Sequence, residues 1–123
     1  MPEPLATERQ EQVALVKWLR FQYPGLLFFS VPNGAHLAGN GWQRALKIKK
    51  MKAEGMLPGA PDLVIPAYRI AVELKRTKRS AGVSEEQSAV HEALRACGWA
   101  VIVAYGFTDA MAQLGQIIRE IEA

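Results

Sequence analysis

The sequence predicts one α/β domain: a central mixed four-stranded sheet flanked by helices, in the order helix, strand, helix, strand, strand, helix, strand, helix. Three observations predict it. Apolar residues recur at helical spacing in some stretches, short apolar or alternating runs lie between them, and Gly, Pro and capping residues mark the boundaries. The 123 residues suit a single domain over 1–123 and leave no room for two. Half are hydrophobic and 22% are charged, so a core is available and a disordered tail is excluded. No apolar run approaches the roughly 20 residues of a membrane span, so no membrane partner is expected. The opening Met1-Pro2-Glu3-Pro4-Leu5 lacks the basic and then apolar character of a signal peptide, and a cytoplasmic location is expected.

The first helix is expected from Thr7, as its cap, to about residue 22, with Val13, Leu15, Val16, Leu19 and Phe21 as its apolar residues and Pro24-Gly25 as its end. Residues 26–31, rich in aromatics, read as a buried strand that Pro32-Asn33-Gly34 breaks. A second helix, basic on its exposed face, is expected over about 41–54, with Trp42, Ala45, Ile48 and Met51 at spacings of three and Gly55 as its stop. After the Gly59-Ala60-Pro61-Asp62 turn come strands 62–65 and 69–75, joined closely enough for a hairpin. Ser84, with Glu86 and Gln87 behind it, caps a third helix to about residue 96. Gly98 ends it, 99–105 is the fourth strand, and Thr108 is the expected cap of a last helix to about residue 121.

Charge is clustered more than its net value of +3 conveys. Arg44, Lys47, Lys49, Lys50 and Lys52 crowd one stretch, and Lys75, Arg76, Lys78 and Arg79 another. Such clusters suit a polyanion, although a solvated helix face and loop would look alike. Cys97 is the only cysteine, expected as a buried free thiol. With His36 and His91 the only histidines, a structural Cys/His zinc site is excluded.

The strand Arg69-Ile70-Ala71-Val72-Glu73-Leu74-Lys75 carries the chemistry. Alternation puts Ile70, Val72 and Leu74 on one face and Glu73 and Lys75 on the other, roughly 7 Å apart. On a solvated face they would form a surface pair worth under about 1 kcal/mol. The hairpin changes this by bringing Asp62 opposite the far end of the second strand, near Glu73 or Lys75. Two carboxylates so close repel, which raises one pKa. A divalent cation removes that conflict, and hard oxygen donors indicate Mg2+ or Mn2+. The Leu74 carbonyl, between the two charged residues, is a further expected ligand. Phosphodiester hydrolysis uses such a group: the cation polarises phosphate and acidifies water. Lys75 orients or deprotonates the water, or neutralises charge on the phosphate.

Pro61-Asp62, followed by Glu73-Leu74-Lys75, resembles the PD-(D/E)XK nuclease motif. Glu8-Arg9-Gln10-Glu11-Gln12, Val31-Pro32-Asn33-Gly34, Gly59 to Asp62, Val72 to Lys75, Ser84-Glu85-Glu86-Gln87 and Gly98 before a strand follow the order of the VRR-NUC family of virus-type replication-repair nucleases. The resemblance runs from about residue 8 to residue 114. It implies a restriction-endonuclease-like core. It also implies that Glu8 is the acidic residue of the first helix beside the metal, with Glu11 as competitor, and that Gln87 points back at the centre, against a simple capping role. The implied catalytic set is Asp62, Glu73, Lys75, Gln87 and Glu8, and the implied metal set Asp62, Glu73, Leu74 and Glu8. Lys47, Lys49, Lys50, Lys52, Arg76, Lys78 and Arg79 then become phosphate contacts, with Asn33 and His36 as further candidates against a plain turn. His91 reads as an ordinary, partly buried histidine, and Tyr105 as structural.

The resemblance therefore implies a Mg2+- or Mn2+-dependent endodeoxyribonuclease. Stand-alone phage members, which would work in the host-cell cytoplasm, resemble Holliday junction resolvases acting as symmetric homodimers; members inside larger repair enzymes cut flaps. A junction needs two cuts and one small domain offers one centre, so a twofold dimer fits, through the last helix or the basic helix with Trp42. A non-catalytic DNA-binding module and a protein-interaction domain are the other readings.

Overall fold

Three helices begin on the same device. Thr7, Asn40 and Ser84 each accept a hydrogen bond from the backbone N–H three residues on, and Gln10, Gln43 and Gln87 reach back to the capping N–H. The computed structural model describes residues 6–32, 37–76 and 82–123. Within them run α1 (Glu8–Gln22), β1 (Phe29–Ser30), α2 (Gly41–Ala53), β2 (Leu63–Ile65), a 3-10 turn (Pro66–Tyr68), β3 (Ile70–Lys75), α3 (Glu85–Ala96), β4 (Ala100–Tyr105) and α4 (Phe107–Glu122). This is the expected order.

The sheet runs β1-β2-β3-β4, antiparallel at β1–β2 and β2–β3 and parallel at β3–β4. The predicted hairpin is β2–β3, closed at Arg69 in the left-handed region (φ 51°). A parallel pair needs a crossover, and α3 supplies it. Leu63, Ile65, Ile70, Val72, Leu74, Ile102 and Ala104 form one face of the sheet and join Leu15, Leu19, Ala110, Leu114 and Ile118 in the core. α1 and α4 therefore cover that face, packed on each other. α3 covers the opposite face through a stripe of Gln87, Val90, His91 and Leu94, of which only His91 is fully buried.

Several expectations are corrected. Residues 26–31 do not make a strand buried on both sides. Only Phe29–Ser30 pairs, at the sheet edge; Leu26 and Phe28 pack on the core, whereas Leu27 and Phe29 are exposed. On α1, Leu15 and Leu19 are buried, but Val13 and Phe21 face solvent because no element among the described residues covers their side. α2 buries none of its residues, and Trp42 is 73% exposed. Cys97 is exposed, since it lies beyond the covered stripe of α3. Thr108 lies inside α4. The cap position is Gly106, which has no side chain to offer, and the carboxylate of Glu11 on α1 accepts the Phe107 N–H instead. No helix among the described residues is long and apolar enough to cross a membrane.

Candidate active site

The hairpin register assembles the centre. Leu63 pairs with Val72, so Asp62 is the next residue outward, level with Glu73 and on the same face. Its N–H donates to the Val72 carbonyl at 2.9 Å, and its Oδ2 accepts the Leu74 N–H at 2.7 Å. The second bond turns the carboxylate back toward β3. The preceding turn is pressed onto α3. A Cβ at Gly59 would lie 2.7 Å from the Glu86 carbonyl and 2.8 Å from the Gln87 N–H nitrogen, and φ there is +84°. Only glycine suits both the conformation and the approach.

Glu73 is 2% exposed, although it is a carboxylate in the middle of a sheet. Its pKa is pushed up from 4.5 to about 8, first by burial, then by the charge of Asp62 and a hydrogen bond with it, with Glu8 adding to the rise and Lys75 opposing it. The expected repulsion between the two carboxylates is therefore present, and Glu73 is the member that keeps the proton. Lys75, on the same face, is half-buried, and its Nζ donates to Gln87 Oε1 at 2.9 Å. That same oxygen accepts the Ser84 N–H at 3.0 Å. Gln87 thus serves both readings at once, capping α3 and holding the lysine head.

His91 is the residue that sequence reasoning missed. It is not partly buried but 3% exposed, and its Nε2 lies 3.2 Å from Glu73 Oε1. Burial first, then the charges of Arg95 and Lys75, lowers its pKa below 6.5, so the ring is neutral at physiological pH. The signal was in the sequence: His91 follows Gln87 by one helical turn and so faces the same way.

The two acidic residues of α1 have different surroundings. Glu11 is engaged at the N-terminus of α4 through Phe107. Glu8, exposed on the first turn, is the one whose charge reaches Glu73. No three or more His, Cys, Asp or Glu side chains among the described residues are grouped to hold an ion. Glu8 accordingly acts on Glu73 from a distance and is not grouped with Asp62 and Glu73 as a three-carboxylate cage.

The donor set still fits a hard divalent cation. Mg2+ demands only one or two carboxylates and takes its other oxygens from water and substrate phosphate. Asp62 and Glu73 supply those two, in a pair that a cation relieves of its repulsion, and the Leu74 carbonyl is the further oxygen expected from the sequence. Lys47, Lys49, Lys50 and Lys52 on α2, and Arg76 after β3, are all exposed; Lys47 donates to the Ala38 carbonyl at 2.9 Å. Lys78, Arg79, Asn33 and His36 lie outside the described residues. Tyr105 ends β4 level with Lys75, and its backbone N–H donates to Asp109 Oδ2 at 2.9 Å. A shallow groove along α1, lined by Arg9, Lys17 and Arg20 over Val13 and Val16, adds a basic strip that begins beside Glu8.

No family model and no curated protein matches this sequence. A solved structure described as a VRR_NUC domain protein is 21% identical and superposes with a TM-score of 0.71, over 95% of this chain and 92% of that one. The chain thus has the fold of a VRR_NUC domain, an α/β fold built on a mixed four-stranded sheet with helices on both faces.

Proposed function

We propose that this chain is a Mg2+- or Mn2+-dependent endodeoxyribonuclease that cuts branched DNA, with the Holliday junction as its substrate and a homodimer as its working form. One observation carries the enzyme reading. A buried carboxylate, Glu73, lies beside the half-buried Asp62 and shares a sheet face with a lysine that Gln87 holds in place. Nothing in folding favours such a group, since burying Glu73 beside a second carboxylate is a cost. A site for a cation and a phosphodiester explains it.

In this reading Asp62 and Glu73 hold the cation at the scissile phosphate. Lys75 stands within reach of the same phosphate, where its ammonium opposes the charge that builds as water attacks phosphorus and the P–O bond breaks. Gln87 keeps that ammonium aimed and removes its rotamer freedom. Glu8 adds negative charge at the rim, favouring cation entry. The exposed lysines of α2 and Arg76 position the backbone without reading sequence.

A junction requires paired cuts, and each chain has one such centre. Support for pairing comes from α2, which buries none of its residues and presents Trp42 and Leu46 to solvent. The last helix is less suited, because Ala110, Leu114, Gly115 and Ile118 are already spent on the core. An exposed Cys97 accords with a reducing, cytoplasmic setting.

The test is cleavage of labelled four-way, flap and linear DNA with Mg2+ or Mn2+ by the wild type and Lys75→Ala, with solution mass measured alongside. Junction cutting by a dimer, lost in Lys75→Ala, is expected. Preference for flaps by a monomer replaces the junction reading. Binding without cutting leaves a DNA-binding module, and neither binding nor cutting leaves an interaction domain. Equal cutting by Lys75→Ala removes the site assignment.

A further inference from the structure

α3 lays two polar residues on the sheet one turn apart. Gln87 holds Lys75, and His91 meets Glu73. The second contact is the more unusual. Both side chains are almost wholly buried, at 3% and 2% exposure, in a layer where leucine would pack at lower cost. Among the described residues no buried side-chain nitrogen or oxygen lacks a partner. The Glu73 carboxylate is what satisfies His91 Nε2, at 3.2 Å.

We propose that His91 is a positioning residue: its Nε2–H fixes Glu73 Oε1, so that the other carboxylate oxygen faces Asp62 and the cation. A carboxylate that holds a cation is ionised and only accepts, so in that state Nε2 carries the proton. A glutamate's terminal torsion is broad and two-fold, which leaves an untethered carboxylate free to turn its oxygens. One buried donor removes that freedom. His91 is not itself placed as a ligand, because it does not group with Asp62 and Glu73 as an ion-holding cluster. Nor is it a base for the attacking water, because a side chain 3% exposed behind Glu73 is out of reach of substrate.

The inference rests on the metal reading above. Its test is Mn2+ titration calorimetry on the full chain, with urea unfolding in EDTA as the control for folding. Outer partners of metal ligands typically govern affinity by about 10–100-fold, and His91→Leu is expected to weaken Mn2+ binding by that factor. His91→Gln, whose amide nitrogen reaches about as far as Nε2, is expected to recover most of it; His91→Asn, one bond shorter, is not. The Mn2+ concentration for half-maximal cleavage should rise in parallel, while the rate at saturating Mn2+ changes little. A folded His91→Leu that binds Mn2+ like the wild type overturns the inference alone. Should His91→Leu not fold, equal Mn2+ affinity in His91→Gln and His91→Asn does the same. A wild type without Mn2+ affinity overturns the metal reading and this inference with it.

Discussion

Replacing Glu73 by glutamine is expected to stabilise the metal-free protein at neutral and alkaline pH. Glu73 titrates at about 8 in the folded protein against an ordinary 4.5, chiefly through burial and then through Asp62. Below the ordinary value both folded and unfolded chains hold the proton, and the side chain imposes no penalty. As pH rises past it, the unfolded chain ionises while the folded one does not, so stability falls. The loss is complete above the folded value. Across that window it amounts to at most about 5 kcal/mol, at a slope of up to about 1.4 kcal/mol per pH unit. Domains of this size have roughly 5–15 kcal/mol in total, so the effect is large. Glutamine keeps the shape, and its carbonyl can accept from His91 while its amide donates to Asp62. His91, held below its ordinary 6.5 mainly by burial, works in the opposite sense as pH falls, but both proteins carry it. The assay is urea unfolding in EDTA at several pH values from 5 to 9. The wild type should lose stability with rising pH and regain it on adding Mg2+, which favours the ionised pair. Glu73→Gln should show a flatter curve and no Mg2+ gain. Parallel curves, or a variant less stable than the wild type near pH 8, refute the reasoning.

Four further outcomes are expected. Lys75→Ala should lower the cleavage rate by about 10²–10⁴-fold while a branched DNA still binds, as measured by single-turnover cleavage and gel shift. Glu8→Gln should weaken Mn2+ binding with little change in melting temperature. Glu11→Gln should instead lower stability by about 1 kcal/mol through the lost cap on α4, with Mn2+ binding kept; the reverse pattern would exchange their roles. Gly59→Ala should both destabilise the fold and reduce cleavage, because the Cβ meets the Glu86 backbone at 2.7 Å and pushes the Asp62 turn off α3; wild-type cleavage would show that the turn has room to move. Replacing Lys49, Lys50 and Lys52 by alanine should reduce the salt dependence of DNA binding by about one unit of log–log slope for each side chain that touches a phosphate.

The sequence by itself determined what depends on neighbours along the chain. Strand alternation put Glu73 and Lys75 on one face, a three-residue connection brought Asp62 to meet them, and Thr7 and Ser84 marked the starts of their helices. These follow from backbone geometry that repeats every two or 3.6 residues. Only the tertiary structure decided which faces are covered. α3 lies over Glu73, which turns an expected surface carboxylate into a buried one and makes His91 its partner. Glu8 and Glu11 sit one turn apart on the same helix, and in the sequence only the resemblance favoured Glu8; in the structure Glu11 accepts the Phe107 N–H at the start of α4, while the charge of Glu8 reaches Glu73. Phe21, Phe29 and Trp42 are of core-forming type, yet stay exposed because no element among the described residues docks on them. Docking depends on residues distant in the chain, and a local pattern carries no record of it. The three residues of the motif were legible from such patterns, whereas the burial that shifts Glu73 and the two residues that hold the site from α3 come from one helix laid across the sheet.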